Sequence, residues 1–243
     1  MYRTGLTIEA AESVGDNRGT KVTRRRVGKA LVTDIRVSAE SAVLLDKAEG
    51  RYITIDGEPQ EHAVGMVLEK ALEQLLPRRG TILVAGLGNP DITRDSLGAE
   101  CVGRLLTRTG DRRSLIAVET DVGAKTGIET AGMVRALVRE VNVSCVLAID
   151  ALACADLRRI GRTVQLSDAG IQPGSGVHAD SPALTKDFVG VPVVAVGVPM
   201  VSELFSVTGN PSHKGMLAAP PDEDVLAMLW ADVIAGAVNS LVV

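Results

Sequence analysis

Aromatic side chains are scarce in this sequence, where they make up 2% of 243 residues. They are Tyr2, Tyr52, Phe188, Phe205 and Trp230. Apolar residues nevertheless reach 46%, so a sizeable core must be built from aliphatic side chains. Such cores are typical of parallel strands buried between helices. The length suits one large domain or two small ones.

A dominant charge and a long apolar run are also missing. The net charge is −4, so no strong overall field attracts nucleic acid. The one basic cluster, Lys21 to Arg26, lacks aromatic partners for base stacking and indicates a solvated segment. No stretch reaches the roughly 18 to 20 apolar residues of a membrane span. The N-terminus shows no apolar signal segment. We therefore expect binding to neither nucleic acid nor a membrane.

Cysteine is rare and is not arranged for disulfides or for metal binding. The three cysteines are Cys101, Cys145 and Cys154. An odd count without a CxxC pair argues against a disulfide framework. Cys145 lies in an apolar stretch that predicts a buried strand, so its thiol is expected to be part of the core. A cytoplasmic, reducing location fits this pattern.

Several common motifs of catalysis and cofactor binding are absent. The histidines are His62, His178 and His213, and they form no HExxH or other metal spacing. No Walker phosphate loop occurs. Gly86-x-Gly88 lacks the third glycine of a dinucleotide fingerprint, because position 91 is Asp91. Ser175 does not stand in a GxSxG elbow. We expect no metal and no cofactor, and nucleotide binding is a minor alternative.

The pattern along the chain predicts an α/β fold after an N-terminal arm. Residues 1–28 are polar and weakly patterned, as in a flexible arm or a short propeptide, and residues 29–243 are expected to form a single domain. Predicted strands cover residues 29–37, 51–55, 82–85, 115–118, 145–149, 163–166 and 191–196. Predicted helices cover residues 62–76, 94–107, 127–141 and 222–242. This alternation predicts a mostly parallel sheet with helices on both faces. The first two strands form an N-terminal β extension.

Three polar segments follow predicted strands, where open α/β sheets bind ligands. They are Gly86 to Asp95, Asp150, and Asp168 to Gly176. Asp150 ends a strongly apolar strand, and a buried carboxylate is costly unless it is hydrogen-bonded or protonated, which favours a functional role. Asp95 is expected in the first turn of a helix with Thr93 as N-cap, where acidic residues are common for structural reasons. Both interpretations of Asp95 stay open on local pattern alone.

Several ordered segments together resemble the germination protease of spore-forming bacteria. The similarity runs, with gaps, from about residue 3 to residue 205. Its main segments are GLGN at 86–89, TRDSLG at 93–98, KTGIET at 125–130, AIDALA at 148–153, SDAGIQPGSGV at 167–177 and GVPVVAVGVP at 190–199. These segments form five ordered motifs, since GLGN and TRDSLG belong to one of them, and five motifs in order are far more specific than any one of them alone.

The resemblance implies an atypical aspartic endopeptidase that degrades small acid-soluble spore proteins, on a fold similar to hydrogenase-maturation peptidases. It implies a homo-oligomer, a tetramer, in the spore core. The catalytic pair matches Asp95 and Asp150. The resemblance also implies a zymogen that removes its own leader, and the corresponding bond here is Gly5–Leu6. The residues expected to support or position the substrate are Asn89, Glu129, Asp168, Gly174, Ser175 and Gly176.

The sequence departs from the family pattern at several points. Gly5 replaces an acidic residue before the cleaved bond, and the leader is short. Arg94 replaces a proline beside Asp95 and is expected to lower the pKa of that carboxyl. Ala169 replaces a threonine, and the family's long region after the last core strand is largely absent. We expect Asp95 to act as the base and Asp150 to hold the proton.

Two other classes of function stay open. One is a metal-assisted peptidase related to hydrogenase maturation, with Asp95, Asp150 and His178 as ligands. The other is a spore protein that kept the fold and lost turnover. Retention of both aspartates argues against the second.

Overall fold

The computed structural model describes residues 4–15, 19–172 and 182–242. The helices are α1 (Thr7–Val14), α2 (Ala39–Leu45), α3 (His62–Leu75), α4 (Leu97–Val102), α5 (Gly123–Thr126), α6 (Thr130–Glu140), α7 (Lys186–Val189), α8 (Leu204–Thr208) and α9 (Glu223–Ser240). The strands are β1 (Thr20–Val27), β2 (Ala30–Val37), β3 (Gly50–Asp56), β4 (Gly80–Gly86), β5 (Arg113–Glu119), β6 (Cys145–Cys154), β7 (Thr163–Ser167), β8 (Val193–Glu203) and β9 (Leu217–Ala218). Three short 3₁₀ turns cover Thr93–Asp95, Leu157–Arg159 and Pro211–His213.

These strands form one mixed sheet in the order β1-β2-β3-β7-β8-β6-β4-β5, with β9 paired to β8. Only the pairs β8–β6, β6–β4 and β4–β5 are parallel among the described strands. The pairs β1–β2, β2–β3, β3–β7, β7–β8 and β8–β9 are antiparallel. The prediction of a mostly parallel sheet is therefore wrong.

The physical reason lies in the connections. Parallel neighbours need a crossover of about a dozen residues or more, usually a helix, and antiparallel neighbours do not. β1 and β2 are joined by a tight turn at Gly28, whose φ of 57° suits glycine. The alternation of strands and helices predicted the parallel half, but it did not show that β7 inserts between β3 and β8 in the opposite direction.

Helices cover both faces of the sheet. Side chains of a strand alternate between faces, so Leu147 and Ile149 of β6 pack toward α3, α4 and α9, and Val146 and Ala148 pack toward α6. A third cluster joins α1 and α2 to the sheet around Ile35. No helix in the described residues has the length and apolar character needed to cross a bilayer.

The first 28 residues contain more regular structure than the weak pattern predicted. Their described part includes α1, which packs beside α2 and β2, and β1, which pairs along its whole length with β2. Leu6, just before α1, is completely buried. The described part of this region therefore packs against the sheet and extends it. Its role as a propeptide stays a prediction.

Candidate active site

The glycine-rich turn after β4 is shaped by close backbone packing. A Cβ on Gly86 would lie 2.3 Å from the carbonyl oxygen of Gly98, and a Cβ on Gly88 would lie 2.1 Å from that of Asp95. Gly88 also has a φ of 103°, which disfavours other residues. The backbone N–H of Leu87 donates to the carbonyl of Ile149 at 2.8 Å, which fixes the turn against β6. The glycines therefore bring this turn onto the chain around Asp95.

Asp95 ends the 3₁₀ turn that precedes α4, and it is half-buried. The backbone N–H of Asn89 donates to its Oδ2 at 2.7 Å. The predicted capping role of Thr93 is wrong, because Ile92 and Ser96 occupy the N-cap positions of the 3₁₀ turn and of α4, and neither makes a side-chain cap bond. The helix is also shorter than predicted, since α4 begins only at Leu97.

Asp150 lies in the middle of β6, because this strand continues to Cys154 instead of ending at Ile149 as predicted. The longer pairing with β8 explains the extension. In the register with β4, Ile149 is opposite the last residue, Gly86, so Asp150 is the first residue of β6 beyond the end of β4. Asp150 is 5% exposed, and its Oδ1 accepts a hydrogen bond of 2.9 Å from the N–H of Ala151.

The two carboxyl groups are electrostatically coupled. Burial raises the pKa of Asp150 well above its ordinary value, and the charge of Asp95 raises it further. Burial also raises the pKa of Asp95, although the N–H of Asn89 and the charge of Arg94 act in the opposite direction. Arg94 thus has the expected direction of effect, but burial outweighs it. Neither carboxylate forms an ion pair with any residue that the structure describes.

A small charged cluster beside Asp95 was missed by the sequence analysis. Nζ of Lys125 in α5 lies 2.5 Å from Oδ2 of Asp91 and 2.8 Å from Oδ2 of Asp121. Asp121 follows β5, and its charge raises the pKa of Asp95. Lys125 belongs to the KTGIET segment, but its spacing from Asp91 in the sequence carries no signal for this contact.

Two predicted supporting residues have other contacts. The carboxylate of Glu129 caps α6 by accepting hydrogen bonds from the N–H groups of Ala131 and Gly132, at 2.7 and 2.6 Å. Asp168 follows β7 and accepts from the N–H of Arg51 at 2.7 Å. These bonds give both carboxylates a structural role.

Asp168 is not brought to the same level of the sheet as Asp150. Gly197 of β8 is opposite both Asp150 and Gln165, and β7 then runs toward the amino end of β8. Asp168, three residues beyond Gln165 and just after β7, is therefore displaced from Asp150 by roughly 10 Å along the strand direction. Because β7 runs antiparallel to β8, the carboxyl end of β7 points away from the carboxyl ends of the parallel strands. Gly174, Ser175 and Gly176 lie outside the described residues.

Hydrogen bonds anchor the residues on each side of the Gly5–Leu6 bond to β6 and β7. The N–H of Gly5 donates to the carbonyl of Ala153 at 2.7 Å, and its carbonyl accepts from Nε2 of Gln165 at 3.2 Å. Oε1 of the same Gln165 accepts from the N–H of Thr7 at 2.7 Å. The peptide on each side of this bond is therefore anchored.

The donor set for a metal is incomplete in the described residues. No group of three or more His, Cys, Asp and Glu side chains is placed to hold a metal ion within residues 4–15, 19–172 and 182–242. His178, the third ligand of the metal-assisted alternative, lies outside these ranges. Asp95 and Asp150 alone would supply two carboxylates.

The fold and the site together define an α/β protein with two coupled carboxyl groups beside the carboxyl end of the parallel strand β4. A family model described as germination protease matches residues 7–213. The chain is 35% identical over 200 residues to a germination protease of Clostridium perfringens. It is 33% identical over 243 residues to that of Oceanobacillus iheyensis and 34% identical over 236 residues to that of Clostridium tetani. The chain belongs to the germination protease family, which confirms the resemblance.

These alignments cover the relatives incompletely. They include 74%, 86% and 86% of this chain and 62%, 66% and 72% of the respective relatives. The chain thus spans about two thirds of the length of the relatives it matches. A [NiFe] hydrogenase maturation protease from Thermococcus kodakarensis KOD1 is similar over 69% of this chain and 97% of its own, with 20% identity and a TM-score of 0.41.

Proposed function

We propose that this chain is an endopeptidase that hydrolyses small acid-soluble spore proteins through Asp95 and Asp150. The observation that carries the proposal is the coupling of two carboxyl groups, one on β6 that is only 5% exposed and one on the adjoining turn, without a neutralising ion pair in the described residues. Two close carboxyl groups cannot both ionise cheaply, so one retains a proton. Membership of the germination protease family supports a protein substrate.

The difference between the two sites assigns the roles. Asp150 is the more deeply buried group, and the charge of Asp95 adds to the cost of ionising it, so it holds the proton. Asp95 receives the N–H of Asn89 and the field of Arg94, both of which favour its ionised form. Asp95 is therefore the base and Asp150 the acid, although a coupled pair titrates as a unit.

In the proposed reaction, Asp95 takes a proton from water while the water oxygen attacks the peptide carbonyl carbon. The new C–O bond gives a tetrahedral intermediate, and Asp150 donates its proton to the leaving nitrogen as the C–N bond breaks. Asp95 then carries a proton and Asp150 a charge, and exchange with solvent restores the starting state. Asn89, together with the Gly174 to Gly176 backbone and Ser175, is proposed to position the substrate or stabilise the oxyanion.

The remaining features of the family are proposals for this chain. They are assembly into a homotetramer, location in the spore core, and removal of a leader at Gly5–Leu6. The last of these requires the anchored segment to leave Ala153 and Gln165 before the bond can reach any active site.

The test is incubation of the purified chain with a small acid-soluble spore protein, followed by mass spectrometry of the fragments. The wild type should cleave it, and Asp95→Asn and Asp150→Asn should lose at least about a thousandfold in rate. Asp187→Asn, an exposed carboxylate of α7, is the matched control and should keep full activity. Full activity in either site variant would remove the dyad. A folded wild type without any cleavage would favour a non-catalytic spore protein.

A further inference from the structure

One ammonium group joins the loops that follow two neighbouring parallel strands. Nζ of Lys125 contacts Asp91, in the loop after β4, at 2.5 Å and Asp121, in the loop after β5, at 2.8 Å. β4 and β5 pair directly, and the N–H of Thr120, just after β5, donates to the carbonyl of Gly86 at 2.9 Å. The contacts of Lys125 thus join the two loops that follow these paired strands.

A continuous chain of contacts links Lys125 to Asp95. Asp91 donates its backbone N–H to the side-chain oxygen of Asn89 at 3.0 Å, and Asn89 donates its own N–H to Asp95 at 2.7 Å. Gly88 packs against the backbone of Asp95 within the same turn. Movement of Asp91 would therefore be transmitted to the carboxylate of Asp95 through two hydrogen bonds.

The cluster also sets the charge around Asp95. The charged groups that shift the pKa of Asp95 are Arg94 of its own turn and Asp121 after β5. Asp150 of β6 also faces it, since the charge of Asp95 raises the pKa of Asp150. Asp121 raises the pKa of Asp95. The hydrogen bond from Lys125 lowers the pKa of Asp121 and so keeps it ionised, while the ammonium charge offsets the carboxylate charge. Removal of Lys125 would leave Asp121 uncompensated.

We propose that Lys125 is a positioning residue for Asp95, which fixes the turn through Asp91 and offsets the negative charge of Asp121. The proposal rests on the proposed function, in which Asp95 is the base. Lys125 is 45% exposed and lies on the short helix α5, so its replacement removes few packing contacts. Its two carboxylate contacts are the main structural role that the described residues give it.

The test compares Lys125→Met with Lys125→Arg in cleavage of a small acid-soluble spore protein across pH. Lys125→Met should lose about tenfold in kcat/KM, because small displacements of a catalytic group reduce the rate. The acid limb of its pH profile should move to higher pH. Lys125→Arg should retain most of the rate and the wild-type profile. Lys29→Met is the matched control, since Lys29 also forms an exposed ion pair, with Glu61 at 3.9 Å.

The double variant Asp121→Asn/Lys125→Met separates the two parts of the proposal. Loss of both charges should return the acid limb to its wild-type position, while the rate loss from the released Asp91 should stay. Asp91→Asn, which weakens only the contact between Lys125 and the loop after β4, should lower the rate with a smaller change in pH dependence. Asp91→Asn also tests the positioning role if Lys125→Met does not fold.

A titration of the Asp95 carboxyl carbon by NMR makes the result independent of turnover. The signal is assigned by its loss in Asp95→Asn, and its midpoint should be higher in Lys125→Met than in the wild type. An unchanged midpoint in Lys125→Met, together with cleavage by this variant at the wild-type rate, would overturn the role of Lys125 and leave the proposed function intact. Absence of cleavage by the wild type would remove the proposed function, and an unchanged midpoint would still decide against Lys125. An equal loss in Lys29→Met would also overturn it.

Discussion

The backbone N–H of Asn89 donates a hydrogen bond of 2.7 Å to Oδ2 of Asp95, and the residue before it is a glycine with a φ of 103°. We predict that Gly88→Ala lowers the activity because it displaces the turn that holds Asp95, and not because packing is lost. Its Cβ would lie 2.1 Å from the carbonyl oxygen of Asp95, so the turn must move. Activity should fall by about a hundredfold. The free energy of unfolding should fall by about 1–3 kcal/mol because of backbone strain.

Gly65→Ala is the control for that variant. Gly65 lies within α3, and a Cβ there would meet no heavy atom within 4 Å. Alanine favours a helix over glycine by about 1 kcal/mol, so this variant should be slightly more stable and fully active. Thermal unfolding and cleavage assays measure both effects. A Gly88→Ala protein as active as Gly65→Ala would show that the turn does not hold Asp95.

The burial of Asp150 predicts a conflict between activity and stability. Its pKa in the folded protein is well above the value of an unfolded chain. The folded state therefore binds its proton more tightly, and the free energy of unfolding falls as pH rises from the unfolded pKa through the folded one. Asp150→Asn removes this pH-dependent cost, at about 1.4 kcal/mol for each unit that separates the two pKa values. We expect Asp150→Asn to be inactive yet more stable at pH 8.

Urea unfolding of the wild type and Asp150→Asn, measured from pH 5 to pH 8, checks this prediction. The stability difference should grow with pH. Asp187→Asn provides the comparison, because this exposed carboxylate should show no such growth. A constant difference between wild type and Asp150→Asn at all pH values would contradict a protonated Asp150.

The pH dependence of cleavage follows from the same two groups. Activity requires an ionised Asp95 and a protonated Asp150, so the profile should be bell-shaped, and because both pKa values are raised, both limbs should be shifted toward higher pH. Arg94→Gln should move the acid limb to higher pH, because Arg94 lowers the pKa of Asp95. Arg36→Gln, at an exposed position of β2, should leave the limb in place. A shift of the acid limb downward in Arg94→Gln would contradict Asp95 as the base.

Sequence patterns predicted the main helices and strands because apolar spacing reports local burial. They also singled out Asp150 as a candidate site residue, because a carboxylate directly after an apolar strand is costly to bury, and its functional role stays a prediction. They did not predict the sheet order, because strand partners depend on contacts between distant segments, such as β3 with β7. The direction of β7 decides that Asp168 lies away from Asp150, and no local pattern carries that information.

The site was only partly accessible from sequence for the same reason. Local evidence left Asp95 ambiguous, because an acidic residue in the first helical turn has a structural explanation. The similarity to germination proteases paired it with Asp150, and the coupling of their carboxyl groups agrees with that pairing. Lys125 was missed, since its contact with Asp91 joins loops that are distant in sequence.

Removal of metal ions tests the rival mechanism. A carboxylate dyad needs no metal, so cleavage by the purified chain should persist after exhaustive treatment with a chelator. Added Zn²⁺ or Mn²⁺ should not raise the rate of the treated protein. His178→Ala should then keep its activity as well. Loss of cleavage with the chelator, and recovery on adding a metal, would favour the metal-assisted peptidase.

The anchoring of the Gly5–Leu6 bond leads to a prediction about self-processing. Gln165 holds the carbonyl of Gly5 and the N–H of Thr7, and Leu6 is completely buried, so the proposed removal of the leader should be slow in the folded wild type because the segment must first detach. Gln165→Leu leaves two backbone groups without these partners, at a cost of about 1–3 kcal/mol each. The segment should then detach more often, and cleavage near residues 5 and 6 should become detectable by intact-mass measurement. Gln74→Leu, at an exposed position of α3, is the control and should behave as the wild type. Rapid cleavage of this bond in the folded wild type, at a rate that Gln165→Leu does not increase, would show that the anchoring does not protect it.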